Sequence, residues 1–324
     1  MSSAADSSLW RRVKQWSPLL WVAIAALAAW VLWQRLHAID FAAVLTELRS
    51  VSPNAIVAGL ICSAGSYVLV GIYEGIAVRH ASHRRAVLYP IVTAWIANPI
   101  GRVVGMAIVS GGALRYRLHS AAGLTPRQIG AVIVLAAMPY FLAVGWLLDL
   151  ALLFRADEAA RALRLATGVV VALGSIGLCK DIGWLVFVHR RREPLTIRQV
   201  RLHLPDLWAT LLQIAFGVAQ ILLLATILFV FMPPELNMTF FGFVGIYLIA
   251  VAAGQLSNVP AGLGVIEAAL LLMLPHVPPE KLLGAILAYR AVYELLPLFC
   301  GLLLLAAYEL LSRAGKLQWW KAGR

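Results

Sequence analysis

Charged side chains set inside apolar sequence are the first candidates for chemistry. Arg115 follows Ser110-Gly111-Gly112 in one largely aliphatic run, and Glu267 follows Pro260-Ala261-Gly262-Leu263-Gly264 in another. Arginine at mid-helix in a bilayer costs roughly 2.5–3.5 kcal/mol on insertion scales, so it needs a partner or a wet cavity. Two partners suit Arg115: Glu267, or a lipid phosphate, which a planar guanidinium grips with two hydrogen bonds. An anchor at the membrane interface, with Arg117 beside it, is the plainer alternative. Glu267 falls in the first turn of a short helix, where the dipole favours a carboxylate. As a partner it suits Arg115, Arg290 or a cationic headgroup. Arg290 and Glu294 are four apart and share one helix face, either as a structural ion pair or in a headgroup or proton-coupling role. Arg102 is another deep base and a second phosphate candidate.

The backbone around these charges is broken. Asn98-Pro99-Ile100-Gly101 and Asn258-Val259-Pro260 interrupt the two runs, and Asn98 and Asn258 are placed to cap freed backbone groups. Gly111, Gly112, Gly262 and Gly264 permit positive φ and close approach. Their amides, at half-helix N-termini, suit phosphate; tight packing by small residues is the alternative. Tyr289 and Tyr293 flank Arg290 and either cradle a headgroup or line the core. Glu74 and Asp149 read as interfacial, and Lys180-Asp181 as a local charged cluster. The motifs Gly-x-Ser-x-Gly, His-Glu-x-x-His and the P-loop are missing, so no enzyme, cofactor or metal is expected. The three cysteines, Cys62, Cys179 and Cys300, are scattered in apolar runs and read as small buried hydrophobes.

The elements that must hold these residues are membrane helices. Of 324 residues 62% are hydrophobic and 13% charged, and the mean hydropathy is +0.85. Soluble domains are about a quarter charged, so a soluble enzyme, a disordered tail and a disulfide scaffold are excluded. The net charge of +12 sits in short segments between apolar runs. It therefore reads as topology and anionic-lipid contact, not nucleic acid. Full spans are expected at 17–36, 54–78, 128–154, 165–188, 207–232 and 282–311. The N-terminus resembles a signal peptide, but a retained first span is preferred beside so many others.

Bases set the orientation. Arg11, Arg12 and Lys14, the 79–85 segment, the 189–203 segment and the tail 312–324 all belong to the cytoplasm. The 233–238 loop has Glu235 and no base, which suits the outside. Counting crossings, residues 88–122 enter from the cytoplasm and return, whereas 240–275 enter from outside and return. Gly112–Arg115 and Gly264–Glu267 share a spacing of three, and a proline follows each glycine by 14 or 15 residues. This is a weak repeat of opposite orientation, 88–154 and 240–311, of the kind found in secondary transporters.

The run Asn98-Pro99…Ser110-Gly111-Gly112-Ala113-Leu114-Arg115-Tyr116-Arg117 resembles the glycine-rich first motif of the transmembrane region of lysylphosphatidylglycerol synthase/flippase. Pro260-Ala261-Gly262-Leu263-Gly264-Val265-Ile266-Glu267 resembles its second, Pro-x-Gly-x-Gly-x-x-Glu. The resemblance implies a bacterial inner-membrane helical protein. Some members flip lipids; others are stand-alone membrane regions tied to hopanoid or glycolipid pathways. No segment matching the lysyl-transferring cytosolic domain follows the last span here.

The expected fold is thus all-α and polytopic, one transmembrane domain over 1–324, with about six spans and two inverted re-entrant hairpins. The expected function is translocation of an amphiphile with an anionic or aminoacylated headgroup. Its head would meet Arg102, Arg115 and the glycine half-helix ends. The alternative is a non-transporting accessory protein to a lipid-modifying enzyme. Membrane lipids are the expected partners, and both termini are expected in the cytoplasm.

Overall fold

The computed structural model describes residues 46–47, 49–82, 88–104, 107–163, 165–191, 195–197, 200–202, 204–257 and 259–314. The expected first span, 17–36, lies outside these residues, as do Asn258 and most of the tail. Five described helices are long and apolar enough to cross a bilayer. They are α1 (Pro53–Ser82), α4 (Pro126–Phe154), α6 (Thr167–Arg190), α7 (Leu207–Phe229) and a continuous rod from Pro279 to Arg313. The rod comprises α10 (Pro279–Arg290), a π-turn (Ala291–Leu295) and α11 (Leu296–Arg313). The chain is an all-α polytopic membrane protein. Its one β element among the described residues is a short hairpin, β1 (Leu195–Ile197) against β2 (Val200–Leu202), within the basic 189–203 segment.

Between the long helices lie α2 (Leu88–Val104), α3 (Ala107–Ala121) and a short α5 (Ala156–Leu163). Later come a 3-10 turn (Pro234–Leu236), α8 (Phe240–Leu256), a second 3-10 turn (Pro260–Gly262) and α9 (Val265–Met273). Helix starts follow capping chemistry. Thr125 and Gln128 form a capping box before Pro126, while Asp206 and Thr239 accept from Ala209 N–H and Gly242 N–H.

The second break falls where the sequence puts it. Ala261, Gly262 and Gly264 all have positive φ, at 52°, 60° and 79°. The first does not. Asn98-Pro99-Ile100-Gly101 stays helical, and α2 runs on to Val104. Proline removes one N–H from a helix, here the one that would have met Trp95 O. The Asn98 amide donates to Ala94 O at 3.0 Å, and Gly301 of α11 lies so close that a Cβ there would stand 3.0 Å from Trp95 O. Since α3 begins at Ala107, Gly111 and Gly112 are helical residues, not a helix N-terminus. A Cβ at Gly111 would meet Ala97 O at 3.2 Å, which is packing between α2 and α3.

Two apolar clusters form. One gathers Val78, Ile96, Leu118 and Val132 about α2 and α3; the other gathers Ile221, Leu224, Phe243 and Leu270 about α8 and α9. Each helical pair doubles back. Tyr89 at the start of α2 stacks edge-on against His119 near the end of α3, with centroids 5.8 Å apart. His276, just after α9, contacts Leu236 O just before α8 at 3.2 Å. The rod ties the two mouths to its two ends: Lys281 bonds Glu235 at 2.5 Å, and Glu309 bonds Arg117 at 2.5 Å.

Candidate functional site

Arg290 organises the second break. Its Nε donates to Glu267 Oε1 at 2.7 Å, and Nη1 donates to Glu294 Oε2 at 2.8 Å and to Ala261 O at 3.3 Å. Glu267 sits in the first turn of α9, and its other oxygen accepts the Gly264 N–H at 2.9 Å. The carboxylate thus occupies the amide that a bound phosphate would have used. One guanidinium fixes the left-handed turn, the start of α9 and the π-turn together. Single π-turns concentrate at functional positions. Here Ser63 of α1 reaches in, its hydroxyl donating to Val292 O at 3.1 Å.

Arg115 is held differently from expectation. It is the ninth residue of α3, and its partner is Glu74 of α1, not Glu267. Its Nε lies 2.9 Å from both Glu74 oxygens, and His119 Nε2 lies 2.9 Å from Oε1. Glu74, expected at an interface, has no exposed surface, and neither has His119. The reason is reach: Arg115 stands against α1 through the doubled-back hairpin, while Glu267 is already engaged by Arg290. The two hairpins are therefore latched with opposite polarity. The first carries the base and its spanning helix the acid; the second carries the acid and its spanning helix the base.

Arg102 lies between these latches. Its guanidinium carbon is 4.8 Å from the Tyr293 ring centroid, and its buried Nε has no acceptor. Tyr293 packs on Tyr67 and Tyr289 at 5.9 Å and 5.5 Å, Tyr67 on Trp95 at 5.4 Å, and Tyr247 Oη lies 3.1 Å from Tyr289 Oη. Gln255 donates to Tyr140 Oη at 2.6 Å. Arg102 stands in the last turn of α2, where the helix dipole favours a base by about 0.3–1 kcal/mol, and its ring contact supplies about 0.5–2 kcal/mol. Unlike Arg115 and Arg290, it has no ion pair among the described residues.

A third charged group lies apart. Lys180 Nζ is 2.6 Å from Asp181 Oδ1 and 3.7 Å from Asp149 Oδ2, between α6 and α4. Asp149 is buried there, because Gly177 leaves its carboxylate room against α6. Among the described residues no three His, Cys, Asp or Glu side chains converge to hold a metal ion. The backbone of Pro260 opens the second 3-10 turn.

The sequence reading groups Arg102, Arg115, Glu267, Arg290 and Glu294 as one site; in the fold Arg290 joins Glu267 and Glu294, while Arg115 pairs apart from them with Glu74. It misses Glu74, His119, Ser63 and Tyr67 as members of the polar centre. Glu74 had a signal: it is the single acid in α1, and a lone acid inside a span is a site candidate on cost alone.

The fold and its buried charges define a multi-pass membrane protein of helical hairpins packed among long spans. The model of the lysylphosphatidylglycerol synthase TM region matches residues 19–301, and the chain belongs to that family. It is 27% identical to the uncharacterized protein slr0712 of Synechocystis sp., over 94% of this chain and 95% of the relative. It is 26% identical to the inner membrane protein YbhN of Escherichia coli, over 86% and 87%. Against a phosphatidylglycerol lysyltransferase of Staphylococcus haemolyticus identity is 23% over 92% of this chain, which spans only 34% of that protein. The family matched is a membrane region alone.

Proposed function

We propose that the chain translocates an amphiphile with an anionic or aminoacylated headgroup across the bacterial inner membrane, without catalysing a covalent reaction. One observation carries the reading. The mouths of the two hairpins meet opposite ends of the rod, at Lys281 and at Glu309. About 40 Å of helix separates these residues at roughly 1.5 Å per residue. Taken with the base-rich segments, this supports two re-entrant hairpins of opposite orientation, a pair of inverted repeats and cytoplasmic termini. The inner membrane is the location in the printed name of YbhN, and a lipid substrate follows the lysyltransferase relatives. Under this reading the headgroup enters the polar centre at Arg102, beside Tyr293 and Tyr67, while Gly111 packs α2 against α3 and the Gly264 N–H stays with Glu267. The Arg115 and Arg290 latches then open and close around it.

The test is reconstitution into liposomes with a panel of headgroup-labelled lipids, followed by chemical reduction of outward-facing label. Headgroup-selective translocation that falls at least tenfold in Arg290→Met upholds the reading. Wild-type protein that moves no anionic, aminoacylated or polyprenyl-linked lipid overturns it. A second reading has its own support: Glu74, Glu267 and Glu294 each already contact an arginine, as in a static scaffold. The chain would then be an accessory to a lipid-modifying enzyme. In that case the Glu74→Arg, Arg115→Glu double variant regains function that each single change loses.

A further inference from the structure

We propose that Arg102, stacked on Tyr293, is the subsite for a phosphate monoanion, and that the headgroup is recognised through this phosphate and not through any aminoacyl cation. The inference rests on the reading of the polar centre as a headgroup site and narrows its substrate class. Three features lead to it.

The first is charge. Arg115 has Glu74, and Arg290 has Glu267 and Glu294, while among the described residues no carboxylate forms an ion pair with Arg102; Glu294, which feels its charge, is already bonded to Arg290. The cation is deep: its ring partner Tyr293 lies near the middle of the rod. The second is the balance of donors and acceptors. Arg102 Nε and Tyr67 Oη are both buried without a hydrogen-bond partner, and both side chains pack on Tyr293. Buried donors are nearly always satisfied. Two orphaned donors about one ring therefore fit a ligand that brings acceptors. A phosphodiester brings unesterified oxygens and one negative charge, and a guanidinium edge matches it in two parallel hydrogen bonds. The third is what the site withholds. A lysyl or alanyl ammonium is held best by a free carboxylate, and Glu74, Glu267 and Glu294 are all taken by arginine. The site should accept plain and aminoacylated phosphatidylglycerol alike and reject a neutral glyceride.

The experiment measures binding to the purified full chain in detergent by calorimetry, with short-chain probes. These are dihexanoyl-phosphatidylglycerol, its lysyl ester, dihexanoylglycerol and inorganic phosphate. Wild type is expected to bind the first two within threefold of each other and dihexanoylglycerol not detectably. Arg102→Met should lose at least tenfold toward both phospholipids, with Arg102→Lys between. Without lipid, Arg102→Met should melt at or above the wild-type temperature, because a buried cation with no ion pair is gone; a structural arginine would give the reverse. Tyr67→Phe removes one orphaned donor with little change of shape and should cost several-fold, which keeps the test decisive should Arg102→Met fold poorly. Unchanged phospholipid binding in Arg102→Met, or equal binding of dihexanoylglycerol by wild type, overturns the proposal. So does binding of the lysyl ester more than tenfold tighter than the parent lipid. Inorganic phosphate as tight as the phospholipid, and lost in Arg102→Met, upholds the phosphate subsite and overturns a lipid as its source. Intact binding with no liposome translocation upholds the subsite and sinks only the transport reading.

Discussion

Glu74 and Arg115 stand 41 residues apart in sequence and meet inside the protein, with Glu74 fully buried and His119 on the same oxygen. Removing one member of such a pair strands the other charge, at about 3–5 kcal/mol. Arg115→Met and Glu74→Gln should each lower the melting temperature in detergent markedly. The double variant should recover most of that loss, because no bare charge remains. A double variant as unstable as the sum of the singles would show that the residues do not act as a pair. At this scale the sequence is informative about which residues are costly and silent about whom they meet. Arg102, Glu267, Arg290 and Glu294 are legible because charge is expensive in apolar surroundings. The matching Gly112–Arg115 and Gly264–Glu267 spacings suggest that Arg115 and Glu267 are counterparts, and so a pair. In the folded chain they are counterparts that each pair elsewhere, because partner choice depends on how the hairpins lean on α1 and α10.

The elements owe their closeness to glycine. Gly217 of α7 lies against the Pro139 carbonyl and Ala143 of α4, where a Cβ would collide with both. Overpacking of this kind costs about 1–3 kcal/mol, so Gly217→Ala should lower thermal stability measurably, whereas Gly75→Ala, facing open space, should not. Gly264 is constrained by its backbone instead, with φ at 79° immediately before α9. Gly264→Ala forces a side chain into that conformation at about 1–3 kcal/mol and shifts the amide that Glu267 holds. It should reduce stability and transport together; a fully active Gly264→Ala protein would remove the turn from the mechanism. Such positions explain why one break was readable and the other was not. Pro260, Gly262 and Gly264 demand an interruption by themselves. Pro99 does not: Gly301 of α11 closes on Pro99 and the Trp95 carbonyl, and that distant neighbour is not visible in local sequence.

On the scale of the whole molecule, the rod from Pro279 to Arg313 relates the hairpins to the bilayer. Lys281, near its start, bonds Glu235 beside the mouth of the α8–α9 pair, and Glu309, near its end, bonds Arg117 beside the mouth of the α2–α3 pair. Under the proposed translocation reading the rod crosses once, and the two mouths then face opposite sides of the membrane. The bases choose which is which: Arg79, His80 and Arg117 lie about the first mouth, and Glu235 lies at the second. An impermeant maleimide on intact cells tests this directly. In a background with Cys62, Cys179 and Cys300 replaced by alanine, Pro234→Cys should label from outside, and Ser120→Cys only after the inner membrane is permeabilised. Both positions are exposed in the fold, so protection reports the membrane and not burial. Labelling of both from one side would mean that the hairpins share an orientation. The inverted repeat would then fail, and with it the alternation of two opposed half-sites on which translocation depends.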